Sequence, residues 1–313
     1  LRFVKGQYLA RRALEIAVSG NHNILMVGPP GAGKTMLAKC IPSLMPSMSF
    51  EEALETTKIH SVAGKLPLED GIITGRPFVT PHHTASNVSL IGGGSSAKPG
   101  LISLAHNGVL FLDELPEYRR SMLESLRQPL EDRVITVSRA RQNVSYPAGF
   151  MLVGSMNPCP CGYYGSATGK CSCSPTQIAR YKSRISGPLM DRVDIRITVD
   201  SVKYDELVAE GEEESSETVR RRVEAARRVQ RERFVGDGIS TNAEMGEKEL
   251  RKYCALSPEC NAILKRSFTS LNLSARARSR IIKVARTIAD LDYSQDILPK
   301  HLLEAISYRS DES

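Results

Sequence analysis

Short apolar runs separated by longer helical patterns dominate the first two thirds of the chain. The segment "HNILMVGPPGAGKTMLAKCIPSLM" (22–45) predicts a buried strand, a glycine-rich loop and a helix that ends near Pro46. Three further runs, "GVLFLDE" (108–114), "GFMLVGSMN" (149–157) and "VDIRITVD" (193–200), are typical of strands covered on both faces. Because helical stretches separate these strands, the pattern predicts a parallel α/β sheet.

The pattern changes after Asp200. An acidic stretch, "EGEEESSE" (210–217), is typical of a solvated linker. Beyond it the periodicity is helical, and helices are predicted over 216–233, 246–254, 257–270, 274–291 and 299–309. We therefore predict an α/β domain over residues 1–205 and a small all-helical domain over residues 206–313.

The amino-acid composition limits the classes of protein to which the chain can belong. The 313 residues are 41% hydrophobic and 25% charged, which is ordinary for a soluble globular protein. No apolar run approaches the roughly 20 residues of a membrane span, and no signal peptide is visible. We therefore expect a cytoplasmic protein without a membrane partner. The chain opens on Leu1 within sequence that already has a folded pattern, and we interpret it as a fragment.

The formal net charge of +7 is unevenly distributed. Residues 218–313 hold 19 Lys and Arg against 13 Asp and Glu, whereas residues 1–217 hold 23 against 22. A basic second half is compatible with nucleic-acid binding, although arginine-rich helices are often only solvated surfaces.

The glycine-rich segment "GPPGAGKT" carries the strongest chemical signal. Between a predicted strand and a predicted helix, it matches the phosphate-loop pattern G-x-x-x-x-G-K-[ST]. In such a loop backbone amides converge on phosphate, the lysine reaches the β- and γ-phosphates, and the threonine hydroxyl ligates Mg²⁺. The residues predicted to bind ATP are Gly28, Pro29, Gly31, Ala32, Gly33, Lys34, Thr35 and Met36.

Three polar residues end two of the predicted strands. Asp113 would hold Mg²⁺ through its water shell, and Glu114 would polarise the attacking water. Acidic residues after a strand can instead cap the next helix, but such a pair downstream of a phosphate loop favours hydrolysis over binding alone. Asn157 could orient the same water, whereas an isolated Asn at a strand end is usually a turn former.

Two arginines are candidates for neutralising charge on the γ-phosphate. Arg192, in "GPLMDRVDI", is a candidate arginine finger, with a surface ion pair to a neighbouring aspartate as the alternative. Arg276, in "LSARARSRIIKVARTIAD", begins a helix of the second domain and could reach across to the nucleotide. Its neighbours Arg278 and Arg280 compete for the same role.

The ordered set of phosphate loop, Asp-Glu strand end, Asn157, Arg192 and Arg276 resembles that of AAA+ ATPases. Within them the chain is similar to the magnesium-chelatase-like branch, and in particular to bacterial proteins of the YifB/ComM type. The similarity spans nearly the whole chain and is carried by "KGQYLARRALEIAVSGNHNILMVGPPGAGKTMLA" (5–38), "RPFVTPHHTAS" (76–86), "GGGSSAKPGLISLAHNGVLFLDELPE" (92–117), "MNPCPCG" (156–162), "SRISGPLMDRVDI" (183–195) and "LSARARSRIIKVARTIADL" (273–291).

The resemblance implies an AAA+ P-loop core with a parallel sheet, followed by a helical lid, with ATP and Mg²⁺ as cofactors. It also implies a ring, expected to be a homo-hexamer with nucleotide, in which Arg192 of one subunit completes the site of the next. Members usually carry an additional N-terminal domain that resembles the Lon protease and ribosomal S5 fold, and we expect this chain to lack it. ComM-type members are described as DNA motors that promote branch migration during natural transformation, which implies single-stranded or branched DNA as a partner.

The segment "RVITVSRARQNVSYPA" (133–148) lies between the Asp-Glu strand and the Asn157 strand. Its alternation around "RARQ" predicts a β-hairpin with Arg139 and Arg141 near the tip. In the AAA+ branch that the chain resembles, such a hairpin projects toward the central pore. There the arginines could hold DNA phosphates without reading sequence. The alternative is an exposed hairpin with solubilising charge.

Seven cysteines in a chain without an export signal favour metal binding or free thiols over a disulfide framework. Four of them lie in "NPCPCGYYGSATGKCSC", as Cys159-x-Cys161, nine intervening residues, and Cys171-x-Cys173. We predict that these four thiolates hold a structural Zn²⁺ ion. Buried free thiols and redox pairs are the competing interpretations, because C-x-C is a tighter spacing than the usual zinc-finger pattern.

The combined features favour a cytoplasmic ring ATPase that acts on DNA as a helicase or branch-migration factor. Two other functions stay open. One is the motor subunit of a magnesium chelatase, which drives a metal into a porphyrin through protein partners, and the other is a protein-remodelling ATPase. The cysteine insert and the basic helical half favour the DNA motor, since a motor that acts only through partners would not need a cationic pore hairpin.

Overall fold

The strands and helices of the computed structural model follow the apolar pattern of the sequence. The structure describes residues 6–66, 71–94, 97–139, 142–166, 170–202, 214–271 and 273–309. Its strands are β1 (Ile24–Val27), β2 (Phe78–Val79), β3 (Gly92–Gly93), β4 (Lys98–Pro99), β5 (Val109–Leu112), β6 (Val134–Arg139), β7 (Gln142–Pro147), β8 (Met151–Met156) and β9 (Ile195–Thr198).

The helices are numbered in the order in which they occur along the chain. They are α1 (Tyr8–Gly20), α2 (Lys34–Leu44), α3 (Phe50–Val62), α4 (Asn87–Ile91), α5 (Leu101–Leu104), α6 (Arg120–Ser125), α7 (Arg127–Asp132), α8 (Pro175–Lys182), α9 (Gly187–Met190), α10 (Ser216–Arg233), α11 (Glu247–Tyr253), α12 (Pro258–Ser270), α13 (Ala275–Leu291) and α14 (Pro299–Ser307). Short 3₁₀ helices lie at Leu115–Glu117 and Asn242–Glu244. None of the helices within the described ranges has the length and apolar character that a membrane crossing requires.

Five strands form a parallel sheet in the order β2-β5-β8-β1-β9. In the register of β5 with β8, Val109 pairs with Met151 and Leu112 pairs with Gly154. Every residue of these two strands is buried, as expected for a sheet covered on both faces. The predicted α/β class is therefore confirmed. The short strand β2 has only two residues, too few for the pattern to indicate it.

One compact unit comprises Met26–Pro42 and Ser47–Arg192. Its core is built on β5 and β8, and the Phe111 ring stacks on Phe78 with centroids 5.9 Å apart. Strands β6 and β7 pair with each other outside the central sheet and confirm the predicted hairpin. This unit contains the phosphate loop, the Asp-Glu strand end and the four clustered cysteines.

The other compact unit comprises Leu1–Leu25, Ser43–Pro46 and Val193–Ser313. Helices α10 to α14 confirm the five helices predicted beyond residue 215. Within this unit the buried Asp290 carboxylate accepts from Arg233, Arg286 and Asn242, so its charge is fully paired. The predicted domain boundary, between residues 205 and 206, lies outside the described residues and stays a prediction.

His22, between α1 and β1, is buried and neutral at physiological pH. Its Nε2 lies 2.7 Å from Thr287 Oγ1, and its Nδ1 lies 3.9 Å from Asp194 Oδ2. Burial lowers the pKa of His22 to about 4, and this effect outweighs the attraction of the Asp194 carboxylate.

The burial of His22 predicts that the fold is less stable at acidic pH. Between pH 6.5, the ordinary histidine pKa, and about pH 4, the unfolded chain binds a proton at residue 22 that the folded chain excludes. The free energy of unfolding should therefore fall with pH across this window, by up to about 3 kcal/mol from this residue alone. Urea unfolding at a series of pH values should show a shallower fall in His22→Gln than in the wild-type chain.

The matched control is His82→Gln, which replaces an exposed histidine and should keep the wild-type pH dependence. Identical pH dependence in His22→Gln and the wild-type chain would contradict the prediction.

Candidate functional site

The phosphate loop connects β1 to α2, and there is open space beside its backbone. Gly31 and Gly33 have φ values of +78° and +88°, in the left-handed region that favours glycine. A Cβ at Gly31 would meet no atom of the described residues within 4 Å, so space above the loop is open. At the base of the loop, Gly28 N donates to Met156 O at the end of β8 (3.1 Å). The loop can therefore present backbone amides to phosphate oxygens.

Lys34 opens α2 with its ammonium group buried. The Nζ atom donates to the carbonyls of Gly28 (2.6 Å) and Pro29 (2.9 Å) and to Oδ1 of Asn157 (3.1 Å). Burial lowers the pKa of Lys34 against the attraction of two more distant carboxylates. Within the described part of the chain no carboxylate forms an ion pair with this group. A buried cation held only by neutral oxygens fits a phosphate, because the phosphate would supply the compensating charge.

Thr35 and Asp113 form the second half of the site. Thr35 Oγ1 donates to Asp113 Oδ2 (2.8 Å). The other carboxylate oxygen, Oδ1, accepts from the Ser155 hydroxyl and from the Glu114 backbone amide (3.1 Å). A hydroxyl and a carboxylate beside a phosphate site are the ligands that Mg²⁺ commonly takes together with nucleotide phosphates. The donor set therefore fits a nucleotide with its magnesium ion.

Glu114 and Asn157 follow β5 and β8 at the same edge of the sheet. Glu114 is exposed and has a left-handed backbone, with φ 53° and ψ 50°. That conformation is uncommon for a residue other than glycine, and strained residues of this kind cluster at functional sites. Asn157 reaches Lys34 through its side chain. The structure thus brings Lys34, Thr35, Asp113 and Asn157 together, with Glu114 adjacent.

Ser155 is a residue of this site that the sequence reasoning missed. It is fully buried, donates to Asp113 Oδ1, and accepts from Glu114 N (3.3 Å). It is the one hydroxyl residue in the apolar run "MLVGSMN". Because strand side chains alternate, it shares a face with Asn157 two residues later, and that pairing is the signal that could have identified it.

Arg192 is buried in the single chain. Its guanidinium donates to the Glu131 carboxylate and to the Pro188 carbonyl (2.6 Å). The Glu131 side chain is 58% exposed, so the pair lies at the surface on the glutamate side. The role of Arg192 as a finger toward a neighbouring subunit stays a prediction.

Arg276 is exposed in the first turn of α13, in the compact unit that holds the helical region. Its competitor Arg280, one turn further along, donates to the buried Asp194 carboxylate of the same unit. Arg280 is therefore engaged in an ion pair, whereas Arg276 and its other competitor, Arg278, are both exposed. The contact of Arg276 with nucleotide stays a prediction.

The four clustered cysteines bring their sulfur atoms together. The four Sγ atoms lie within 4.8 Å of one another. Cys159 Sγ is 3.3 Å from Cys161 Sγ and 3.8 Å from Cys171 Sγ, and the last two are 3.7 Å apart. In a tetrahedron with Zn–S bonds of about 2.3 Å, sulfur atoms are separated by about 3.8 Å. The described sulfur positions therefore fit a tetrahedral metal site completed by Cys173.

The β6–β7 hairpin ends at the pair of Arg139 with Gln142. Its stem is held by Tyr146, whose hydroxyl donates to Ala97 O (2.7 Å). Arg141 and the side chain of Arg139 lie outside the described residues. The DNA contact assigned to these arginines stays a prediction.

Two family models match the chain. The model described as "Magnesium chelatase, subunit ChlI" matches residues 1–207, and the model described as "Magnesium chelatase, subunit ChlI C-terminal" matches residues 213–309. Together they span nearly the same residues as the resemblance noted from the sequence.

Individual relatives agree with the family models. "Competence protein ComM" of Haemophilus influenzae is 46% identical over 307 residues, which is 97% of this chain and 59% of that protein. "Uncharacterized protein YifB" of Escherichia coli is 46% identical over 310 residues, 98% of this chain and 60% of that protein. The "Magnesium-chelatase 67 kDa subunit" of Heliobacterium mobile is 26% identical over 264 residues, 73% of this chain and 38% of that protein.

The chain spans about 60% of the length of the ComM and YifB relatives. Within that span the family models, the parallel sheet and the phosphate loop at its edge agree with one another. This chain belongs to the magnesium-chelatase-like family of AAA+ ATPases, in the branch that includes ComM and YifB.

Proposed function

We propose that this chain hydrolyses ATP as the motor part of a ring that acts on DNA, as a helicase or branch-migration factor in natural transformation and recombination. The observation that carries the proposal is the pair of hydrogen bonds that joins Lys34 to Asn157 and Thr35 to Asp113 at one edge of the sheet. A site that only bound nucleotide would not need an exposed, strained Glu114 beside that pair.

Each residue has a distinct part in the proposed hydrolysis. Lys34 exchanges its carbonyl contacts for β- and γ-phosphate oxygens, while Thr35 and Asp113 hold the magnesium ion. When bound, Mg²⁺ offsets the negative charge that develops on the transferred phosphoryl group. Glu114 orients the attacking water and accepts its proton, and the Asn157 amide fixes the water from the other side.

A ring completes the site in this proposal. Arg192 of a neighbouring subunit neutralises charge on the γ-phosphate, a contribution of roughly 10³–10⁵ in rate where it has been measured in other enzymes. In the single chain Glu131 holds this arginine, so ring assembly exchanges one carboxylate partner for phosphate. Arg276 acts from the helical region, and the assembly is a homo-hexamer with nucleotide.

DNA is the proposed track because the hairpin carries two arginines within four residues, "RARQ", at the end of a stem of two paired strands. Contacts to phosphate need no base-specific geometry, so a cationic hairpin tip suits a motor that moves along any sequence. The name of the Haemophilus relative links that protein to competence.

The DNA proposal predicts a nucleic-acid response that depends on the hairpin. Adding single-stranded or branched DNA at low salt should raise the rate of ATP hydrolysis several-fold. Arg139→Ala with Arg141→Ala should abolish the increase, and it should leave the DNA-free rate within about twofold, because the hairpin is separate from the phosphate loop. A coupled phosphate-release assay with a salt titration measures both effects.

Arg127→Ala with Arg120→Ala is the matched control, since these exposed arginines of the same unit lie outside the hairpin. A rate of ATP hydrolysis that does not change when DNA is added, together with the absence of salt-sensitive DNA binding, would contradict the proposal that the motor acts on DNA. The substrate would then be a protein partner, as in the magnesium-chelatase motor or a remodelling ATPase.

We also propose that the four clustered cysteines hold a structural Zn²⁺ ion. The support is the sulfur geometry, because the four Sγ atoms lie within 4.8 Å of one another. The thiolate is the form in which cysteine binds metal. With four sulfur ligands no coordination position is left for substrate, so the role is structural.

The zinc proposal predicts about one zinc ion per chain in the purified protein. Cys161→Ser with Cys173→Ser should remove the metal and lower the thermal unfolding midpoint, because two sulfur ligands cannot hold the ion. Elemental analysis and thermal unfolding measure these outcomes. Cys40→Ser, outside the cluster, should retain the zinc. Unchanged metal content and unchanged stability in the double variant would rule the site out.

A further inference from the structure

The cysteine cluster lies directly against the phosphate loop. Gly162 follows Cys161, and its backbone amide closes a turn onto Cys159 O (3.0 Å). A Cβ built on Gly162 would lie 2.6 Å from Cδ and 2.8 Å from Cγ of Pro30. Real Cβ contacts do not approach so closely, so the glycine allows the turn to rest on the proline ring. The φ of Gly162, +88°, also favours glycine.

A second connection runs through Asn157. This residue precedes Cys159 by two positions, and its side chain accepts from Lys34 Nζ. The same Cβ position on Gly162 lies 3.9 Å from Asn157 Cγ. The segment 157–162 therefore carries two of the four cysteines and touches the phosphate loop at both Pro30 and Lys34.

We propose that metal in the cysteine cluster controls the affinity of the phosphate loop for nucleotide, and that Gly162 is the positioning residue that transmits the effect. The inference rests on the proposed zinc and ATP sites. It adds a coupling between them that neither site requires by itself.

The physical reason is preorganisation. Pro30 is exposed on its outer side and Gly31 next to it has open space around it, so little else described in the structure holds this part of the loop. A metal ion would fix the Cys159–Gly162 turn by binding the Cys159 and Cys161 sulfurs within it and the Cys171 and Cys173 sulfurs that follow it. Without the metal, part of the nucleotide-binding energy must order the turn and the loop together, so apparent affinity falls.

Thermodynamic linkage makes the coupling reciprocal. If metal raises nucleotide affinity by some factor, nucleotide raises metal affinity by the same factor. Couplings of this kind are typically about 5- to 150-fold, and a contact through one proline ring suggests roughly tenfold.

The first experiment compares zinc-loaded and chelator-stripped protein of the full chain. The dissociation constant of a fluorescent, non-hydrolysable ATP analogue should be roughly tenfold lower for the loaded form. Conversely, the analogue should slow the transfer of zinc to a chromogenic chelator. Neither readout depends on hydrolysis.

A pair of glycine variants then isolates the contact. Gly162→Ala places a methyl group against Pro30 and should weaken analogue binding about tenfold while zinc content stays near one per chain. Its zinc release should also become insensitive to the analogue. Gly165→Ala is the matched control: Gly165 has a similar φ of +73°, but a Cβ there would meet nothing within 4 Å among the described residues.

A substitution at Pro30 should partly restore analogue binding in the Gly162→Ala variant. Pro30→Ala removes the ring atoms that the new methyl group would strike, so Gly162→Ala with Pro30→Ala should bind the analogue more tightly than Gly162→Ala alone. If Gly162→Ala fails to fold, the loaded and stripped forms of the wild-type chain still decide the question.

The outcomes separate the inference from the functions on which it rests. If the loaded protein holds zinc and both forms bind the analogue with equal affinity, the coupling is overturned. The zinc site and the nucleotide site would each still stand. Absence of zinc in the purified protein would overturn the zinc site and the coupling together. Failure to bind the analogue in either form would overturn the nucleotide site and the coupling together.

Discussion

The parallel pairing of β5 with β8 is the constraint on which the candidate site depends. In the observed register Leu112 lies beside Gly154, so the next residues, Asp113 and Ser155, meet and hydrogen-bond. The phosphate loop is tied to the end of the same strand through Gly28 and Met156. Because parallel strands all end at one edge, groups far apart in sequence converge there without any dedicated local structure.

Buried charged side chains have different kinds of hydrogen-bond partners in the two compact units. In the unit that holds the helical region, the buried Asp290 carboxylate is surrounded by donors and contributes to a fixed network. In the unit that holds the phosphate loop, the buried Lys34 ammonium is bonded to neutral oxygens only, and Glu114 has a strained backbone. A buried charge with ion-pair partners stabilises the fold, whereas a buried cation hydrogen-bonded to neutral oxygens fits an anionic ligand.

Much of this architecture could be predicted from the sequence because it is local. The apolar runs indicated the strands that carry Asp113 and Asn157, the alternation around "RARQ" indicated the hairpin, and helical periodicity indicated the helices beyond residue 215. The phosphate-loop pattern is itself a local constraint, since strand, glycines and helix are contiguous in the chain.

What could not be predicted are contacts between segments distant in sequence. Nothing local pairs Arg192 with Glu131, places Gly162 on Pro30, or indicates that Ser155 binds Asp113. These contacts depend on strand order and loop packing, which a periodic pattern does not encode. The two-residue strand β2 was not predicted for a different reason, because it covers only one period of strand alternation and forms no repeating pattern.

The most direct test of the account is the rate of ATP hydrolysis at saturating Mg·ATP in Glu114→Gln compared with Glu117→Gln. Both variants remove one exposed carboxylate, at positions three residues apart, and Glu117 is paired with Arg184. We predict that Glu114→Gln lowers kcat by about 10²–10⁴-fold with unchanged ATP affinity, because it removes the proton acceptor and not the binding contacts. Glu117→Gln should retain wild-type hydrolysis. Hydrolysis in Glu114→Gln at the wild-type rate would contradict the assignment of this edge of the sheet as a catalytic site.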